Sequence, residues 1–343
     1  MRLATTRLLA AGLGALGFVA CGLSVVGSGP TPAELLESGA PGDEAGSRDS
    51  ANAGDAALPA DGSDVPIVED GSACGVDLLT NGNNCGACGH SCLGAACAAG
   101  LCAPAIAVTF NHDVRSVSAN ATRLYFTSVQ ARLISWVPLT NVMATPVDVI
   151  TNVDDPRQVT VDNANLYWVQ ASTGQLRRAA LDGSSDNVIV NSAVGCVWLG
   201  PGADGYVVNY SASTVSKFNL ANPNPATVIL VAADGVFLPW GVAATATEVL
   251  WTNAENGGGV FHRALAGGGK VTIATGQGNP NCIALDDGFV YWANHNSGEI
   301  RRARPDGSNN RVFASGQTLP TSFGFDAIWI YWNSGNSIMR VAR

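Results

Sequence analysis

An aromatic pair returns along this chain at a nearly constant interval, and that interval limits what the chain can fold into. Leu166-Tyr167-Trp168, Val290-Tyr291-Trp292 and Ile330-Tyr331-Trp332 carry the pair in full, while Leu124-Tyr125-Phe126 and Val249-Leu250-Trp251 are degenerate copies. The second aromatic falls at 126, 168, 251, 292 and 332, so the steps are 42, 83, 41 and 40. The step of 83 is two periods, and Tyr206-Val207-Val208 stands where the missing copy belongs. Six repeats of about 40 residues, built from short β-branched and aromatic runs, predict an all-β fold: a six-bladed β-propeller with one four-stranded blade per repeat. The repeats claim residues 104–343 as one unit.

Each repeat follows one grammar. A short strand ends in an Asp turn, as in Val159-Thr160-Val161-Asp162, Ile283-Ala284-Leu285-Asp286 and Phe323-Gly324-Phe325-Asp326. The aromatic strand follows, then a polar loop and a third strand such as Leu176-Arg177-Arg178, Ile300-Arg301-Arg302 or Ile338-Met339-Arg340. A turn such as Leu181-Asp182-Gly183-Ser184 or Pro305-Asp306-Gly307-Ser308 precedes the outer strand. Alternation and Gly/Asp turns at such short intervals predict strands and hairpins throughout. The last repeat stops at Arg343, directly after its third strand, and an orphan strand, Ile106-Ala107-Val108-Thr109-Phe110, precedes the first repeat. This N-terminal strand is expected to complete the sixth blade, closing the ring and removing an exposed edge.

The blade phrase resembles that of the six-bladed YWTD propellers of the low-density-lipoprotein-receptor type. Tyr167-Trp168…Leu176-Arg177-Arg178…Leu181-Asp182-Gly183-Ser184 matches it, and Tyr291-Trp292…Ile300-Arg301-Arg302…Pro305-Asp306-Gly307-Ser308 repeats it. The resemblance covers about 240 residues. Gln170, Asn253 and Asn294 stand where that family has the Asp of its name, so any role of that Asp is not carried over. The resemblance implies binding of proteins and no catalysis.

The N-terminal third is organised differently. Arg2 and Arg7 followed by the uncharged stretch Leu8 to Ala20 read as an export signal over residues 1–21, too short to span a bilayer. Its end, Phe18-Val19-Ala20-Cys21-Gly22, resembles a bacterial lipobox, which implies lipidation at Cys21; the competing reading is an ordinary secretory signal cut after Ala20. Several acyl chains would give a stable anchor. Gly22 is not the Asp associated with inner-membrane retention, so an exported, outer-membrane lipoprotein facing the periplasm or the surface is expected. Residues 22–72 are rich in Ala, Gly, Asp, Ser and Pro and are expected to be a disordered tether. Ten acidic residues against Arg48 alone within 30–71 give −9, equal to the net charge of the whole chain. The remaining residues are therefore near neutral, which offers no surface for nucleic acid.

Residues 73–103 hold six of the nine cysteines: Cys74, Cys85, Cys88, Cys92, Cys97 and Cys102. Zinc is one reading, on Cys85-x-x-Cys88 and His90. A framework of three disulfides is the other, and it is favoured because structural zinc modules need a second ligand pair and export leads to an oxidising compartment. The connectivity stays open. The run Asn84-Cys85-Gly86-Ala87-Cys88-Gly89-His90-Ser91-Cys92 resembles a Cys-rich repeat of bacterial lipoproteins, which implies a spacer or interaction module. Cys196 and Cys282 are the remaining pair. They lie in repeats three and five, which are not neighbours, so two separate buried thiols are expected.

The repeated aromatics are expected to pack between blades, and the third-strand bases Arg178, Lys217, Arg263, Arg302 and Arg340 to be structural. No catalytic motif, cofactor motif or metal-ligand set is present: His90, His112, His262 and His295 lie in unrelated contexts. In a propeller the inter-blade loops and the loops after the aromatic strands share one face. That face collects the candidate binding residues His112, Gln170, Tyr210, Phe237, Trp240, Asn253, His295 and Asn333. Phe237-Leu238-Pro239-Trp240 brings two large aromatics into one inter-blade loop, which suits a binding hot spot or a plug over the channel. The function expected is non-catalytic recognition of an envelope or extracellular protein or glycan by a monomer. A propeller lyase or hydrolase and a purely structural envelope component are the alternatives.

Overall fold

The computed structural model describes residues 74–192, 195–223 and 225–343. The export signal and tether expected over 1–72, Cys21 included, lie outside them. The described residues form six four-stranded antiparallel sheets and one two-stranded hairpin. Blade one is Ser116–Ala119, Arg123–Ser128, Leu133–Pro138 and Val147–Thr151. Blade two is Pro156–Val161, Asn165–Gln170, Gln175–Ala180 and Asn187–Asn191. Blade three is Val197–Leu199, Asp204–Asn209, Thr214–Asn219 and Thr227–Leu230. Blade four is Pro239–Ala244, Glu248–Asn253, Asn256–Ala264 and Val271–Gly278. Blade five is Pro280–Asp286, Phe289–Asn294, Glu299–Ala303 and Arg311–Ala314. Blade six is Phe323–Phe325, Trp329–Ser334 and Ser337–Ala342, completed by Ala105–Thr109. The first strands touch one another round the ring and line its channel.

The second strand of each blade has blades on both sides, so it reads as an unbroken apolar run instead of an alternation. Leu166, Tyr167, Trp168 and Val169 are all buried, and Trp168, Trp251, Trp292 and Trp332 are fully so. Burying an indole leaves an N–H to satisfy. Trp292 Nε1 donates to Gln277 Oε1 at 2.9 Å and Trp332 Nε1 to Gln317 Oε1 at 2.8 Å, each reaching back to the preceding blade. The first-turn Asp plays a matching part. Asp162 takes the N–H groups of Ala164 and Asn165, both at 2.7 Å, and the Tyr167 hydroxyl at 2.9 Å. Asp326 does the same for Ile328, Trp329 and Tyr331. The third-strand bases are structural, as expected. Lys217 pairs with Asp204, Arg263 pairs with Asp234, Arg178 donates to the Leu220 carbonyl, and Arg302 and Arg340 lie over Phe289 and Trp329. Blade one inverts the pair, placing Arg123 over Trp136.

The ring closes through the N-terminal strand. Thr109 and Val108 face Ser337 and Ile338 in antiparallel register. Arg343 then ties blade six to blade five: its Nε donates to the buried Asp286 carboxylate at 2.9 Å, and its backbone N–H bonds the Ile328 carbonyl. In the cysteine module the bridges are Cys74–Cys88, Cys85–Cys97 and Cys92–Cys102, around a hairpin of Cys97–Ala98 and Leu101–Cys102. The sulfurs of Cys85, Cys92 and Cys102 lie within 4.8 Å of one another because two of these bridges stack. Their apolar cluster continues into blades five and six, and Arg311 of blade five reaches the Ala99 carbonyl.

Cys196 and Cys282 form a fourth disulfide with a Cα–Cα distance of 5.9 Å, which corrects the expectation of two free thiols. The expectation took repeats that are not neighbours to hold their cysteines apart, whereas the first strands of all six blades converge on the channel axis. Glycine narrows the gap further. A Cβ on Gly241 of blade four would meet the Asn281 carbonyl at 2.5 Å, and one on Gly195 would meet Val208 at 2.3 Å and the Trp240 carbonyl at 2.8 Å. Blades three and five therefore close on blade four, and the bridge passes in front of its first strand.

Peptide mapping of the unreduced protein should recover Cys196 and Cys282 in one cross-linked fragment. Cys282→Ala should lower unfolding free energy by about 2–4 kcal/mol in denaturant melts. The buried tyrosines set a second expectation. Burial, then the Asp162 bond, pushes Tyr167 up to about 12, and burial likewise raises Tyr206, Tyr291 and Tyr331. A proton held more tightly in the folded state gives stability that is complete below the ordinary phenol value near 10 and is lost above it. Unfolding free energy should therefore fall as pH rises from about 10 to 12, with the phenolate absorbance of these residues lagging behind that of free tyrosine.

Candidate functional site

The inter-blade face is built on a repeated turn. Asp155, Leu238, Asn279 and Leu319 each adopt a left-handed φ, between 44° and 59°, immediately before Pro156, Pro239, Pro280 and Pro320. The turn aims each carbonyl at the end of the second strand. Ala171, Ala254 and His295 donate their backbone N–H groups to Asp155, Leu238 and Asn279 at 3.0–3.1 Å, and the Asn333 amide reaches Leu319. Side chains finish the fastening. Asn253 accepts from the Phe237 N–H and donates to the Gly235 carbonyl, both at 3.0 Å. Asn333 accepts from Thr321 and Ser322 and donates to Val114 at 3.1 Å. In blade one Asp113 does this work, accepting from the Ser128 hydroxyl at 2.5 Å and the Gln130 N–H at 2.9 Å.

Seven of the eight candidate residues fall at or just after the ends of second strands or in inter-blade segments, and the eighth, Trp240, near the start of a first strand; all lie toward this face, but they play different parts. Asn253 and Asn333 are buried fasteners of backbone. His112 stacks on Phe110, with centroids 5.5 Å apart, and its Nδ1 lies 2.9 Å from the Asp113 carbonyl. Gln170 is half-buried at the end of its strand. Trp240 is the second residue of blade four's first strand and not part of the loop before it. Its ring meets Tyr210 edge-on at 5.8 Å, and its carbonyl accepts the Cys196 N–H at 2.6 Å. Phe237 stands 50% exposed on a loop held by Asn253 and by Ser213.

Two cations not singled out from the sequence join this face. Arg115 precedes the first strand of blade one, and Arg157 lies in that of blade two, gripping Asp155 at 2.6 and 3.1 Å. Burial, then the charge of Arg157, depresses the Arg115 pKa; Asp113 and Asp155 oppose this. Burial holds His295 below the ordinary imidazole range against the opposing hydrogen bond with Asn296, the charges of Arg115 and Arg157 adding to the lowering, and its Nε2 is buried without a partner. The available signal was positional: in four blades Pro stands twelve residues before the Trp, and in three of them, at Pro156, Pro239 and Pro280, it opens the inner strand.

Beneath this face the channel is crossed by the Cys196–Cys282 bridge, and Cys282 Sγ lies 3.1 Å from Gln158 Oε1 of blade two. From there a cavity of about 210 Å³ runs toward the opposite face, past Val159, Val161, Trp198, Leu199, Ile283 and Phe325. No Asp, Glu, His, Lys, Arg or Tyr lines it.

No protein-family model matches the sequence, and no curated protein does. Solved structures do. A gluconolactonase from Xanthomonas campestris superposes with a TM-score of 0.58 at 10% identity, covering 70% of this chain and 88% of that one. A nidogen–laminin complex gives 0.54 at 17% identity, over 62% and 86%. Virginiamycin B lyase from Staphylococcus aureus gives 0.53 at 9% identity, over 70% and 98%. At such identities the likeness establishes the propeller fold alone, a fold that these proteins put to different uses.

Proposed function

We propose that the propeller is a non-catalytic binding module for an envelope or extracellular protein or glycan, carried as a monomer on an exported outer-membrane lipoprotein anchored through Cys21. The carrying observation is the aromatic group on the inter-blade face: Phe237 exposed on a loop pinned by Asn253, beside the Trp240–Tyr210 pair. A rigid aromatic costs little entropy to bury, which is what a recognition hot spot needs. The lipid anchor draws on the lipobox-like Phe18-Val19-Ala20-Cys21, and kinship with the YWTD propellers on the blade phrase. Enzymatic use, as the names of the lyase and the lactonase put it for those proteins, is the weaker reading. The channel wall offers no group that could exchange a proton, so acid–base chemistry would fall entirely to the rim.

Full-length protein with Phe237→Ala or Trp240→Ala should capture its envelope ligand roughly thirtyfold more weakly than the parent, the loss of one hot-spot side chain. Leu199→Ala, on the opposite face, should capture it as the parent does. Equal capture by all variants would refute the reading of this face. Cys21→Ser should move the protein from the membrane to the soluble fraction on ultracentrifugation, and unchanged sedimentation would count against the anchor.

A further inference from the structure

We propose that the channel cavity behind the Cys196–Cys282 bridge is a binding site for a small, uncharged ligand with a planar amide edge, recognised by the side chain of Gln158. The site is separate from the inter-blade face and does not rest on the reading of that face.

Gln158 is the third residue of blade two's first strand, lines the cavity and is only 8% exposed. Its amide offers an acceptor oxygen and two N–H donors, and among the described residues neither end is well met. Oε1 lies 3.1 Å from Cys282 Sγ, but that sulfur belongs to a disulfide and has no proton to donate. Nε2 has only the carbonyl of Val159, the next residue, at 3.5 Å, the outer limit of a hydrogen bond. A buried amide left in this state costs free energy that a partner in the cavity would recover.

The wall limits what that partner can be. No Asp, Glu, His, Lys, Arg or Tyr lines the cavity, so a charged ligand would be buried without a counter-charge. Besides Gln158, the polar side chains on the wall are Ser118, Thr160 and Trp198, and the Trp198 indole N–H is already given to the Ala244 carbonyl at 3.0 Å. Val161, Leu199 and Phe325 each end a first strand and are part-exposed, so the cavity opens among apolar side chains. Gln158 lies three residues deeper than Val161, about 10 Å at the rise of a strand. A ligand therefore enters polar edge first and leaves its apolar body at the mouth. An apolar cavity of about 150 Å³ holds benzene, so one of about 210 Å³ takes about one six-membered ring with two or three further atoms. A cis amide set in such a ring matches Gln158: its N–H donates to Oε1 and its carbonyl accepts from Nε2. A carboxylate would satisfy Nε2 alone and would bring the charge that the wall cannot balance.

The test uses the full chain with 2-pyridone as the probe, N-methyl-2-pyridone as the same ring without its donor, and benzoate as a charged ring of similar size. Calorimetry should show saturable binding of 2-pyridone and none of benzoate. N-methylation of the probe and Gln158→Leu in the protein should each weaken binding roughly ten- to a hundredfold, the cost of leaving a buried amide group unpaired. Gln158→Leu should no longer distinguish the two pyridones. In NMR the Gln158 side-chain amide resonance, identified by its loss in that variant, should shift as 2-pyridone is added to the parent. Absence of 2-pyridone binding, binding that ignores N-methylation or Gln158→Leu, or benzoate binding as tightly as 2-pyridone overturns the site. Should Gln158→Leu fail to fold, crystals of the parent soaked in 5-bromo-2-pyridone decide. Ring density with its amide edge on Gln158 and its bromine toward Phe325 supports the site; bromine elsewhere, or nowhere, overturns it.

Discussion

The constraint on which the molecule depends is the double burial of each second strand. A strand packed by a neighbouring blade on both faces must be apolar along its whole length, and in a ring every blade imposes this on the next. The Tyr-Trp phrase answers it with large flat side chains that fill the wedge between sheets. Each phrase then creates polar obligations. The phenol needs its Asp five residues earlier, and the indole takes a Gln fifteen residues earlier on the preceding blade where one exists. Trp168 and Trp251 have no such Gln, and their Nε1 atoms have no hydrogen-bond partner. An unmet buried donor costs about 1–3 kcal/mol, so the blade interfaces are not equally tight.

A ring so tightly built has its centre available for other uses, and here the centre is stapled. The Cys196–Cys282 bridge crosses the axial channel, with a cavity lined by Val159, Val161, Trp198, Leu199, Ile283 and Phe325 on one side of it. The staple depends on glycine at 195 and 241, where any side chain would strike a neighbouring backbone or side chain. Floor and rim are coupled. The Trp240 carbonyl holds the Cys196 N–H, and the Trp240 ring faces Tyr210 at the rim. The aromatic pair at the rim is thereby tied to the bridge through the inner strand of blade four, an arrangement suited to recognition without rearrangement.

The sequence by itself determined what recurs. Period, blade number, strand order, the closing role of Ala105–Thr109 and the burial of the aromatics all follow from phrases that return every 40 residues, because each blade meets the same packing demand. The disulfide character of the cysteine module was legible from composition and compartment, whereas its pairing was settled by chain crossings such as Gly86 against Gly100. Candidate residues at the ends of second strands were placed on the correct side by topology, yet only the folded structure separates the fasteners Asn253 and Asn333 from the displayed Phe237. What tertiary structure alone decided lies at the axis. Cys196 and Cys282 are 86 residues apart in sequence and lie two blades apart. Their meeting depends on how far inner strands converge, a distance fixed by the closure of the whole ring and by two glycines, which no local pattern encodes.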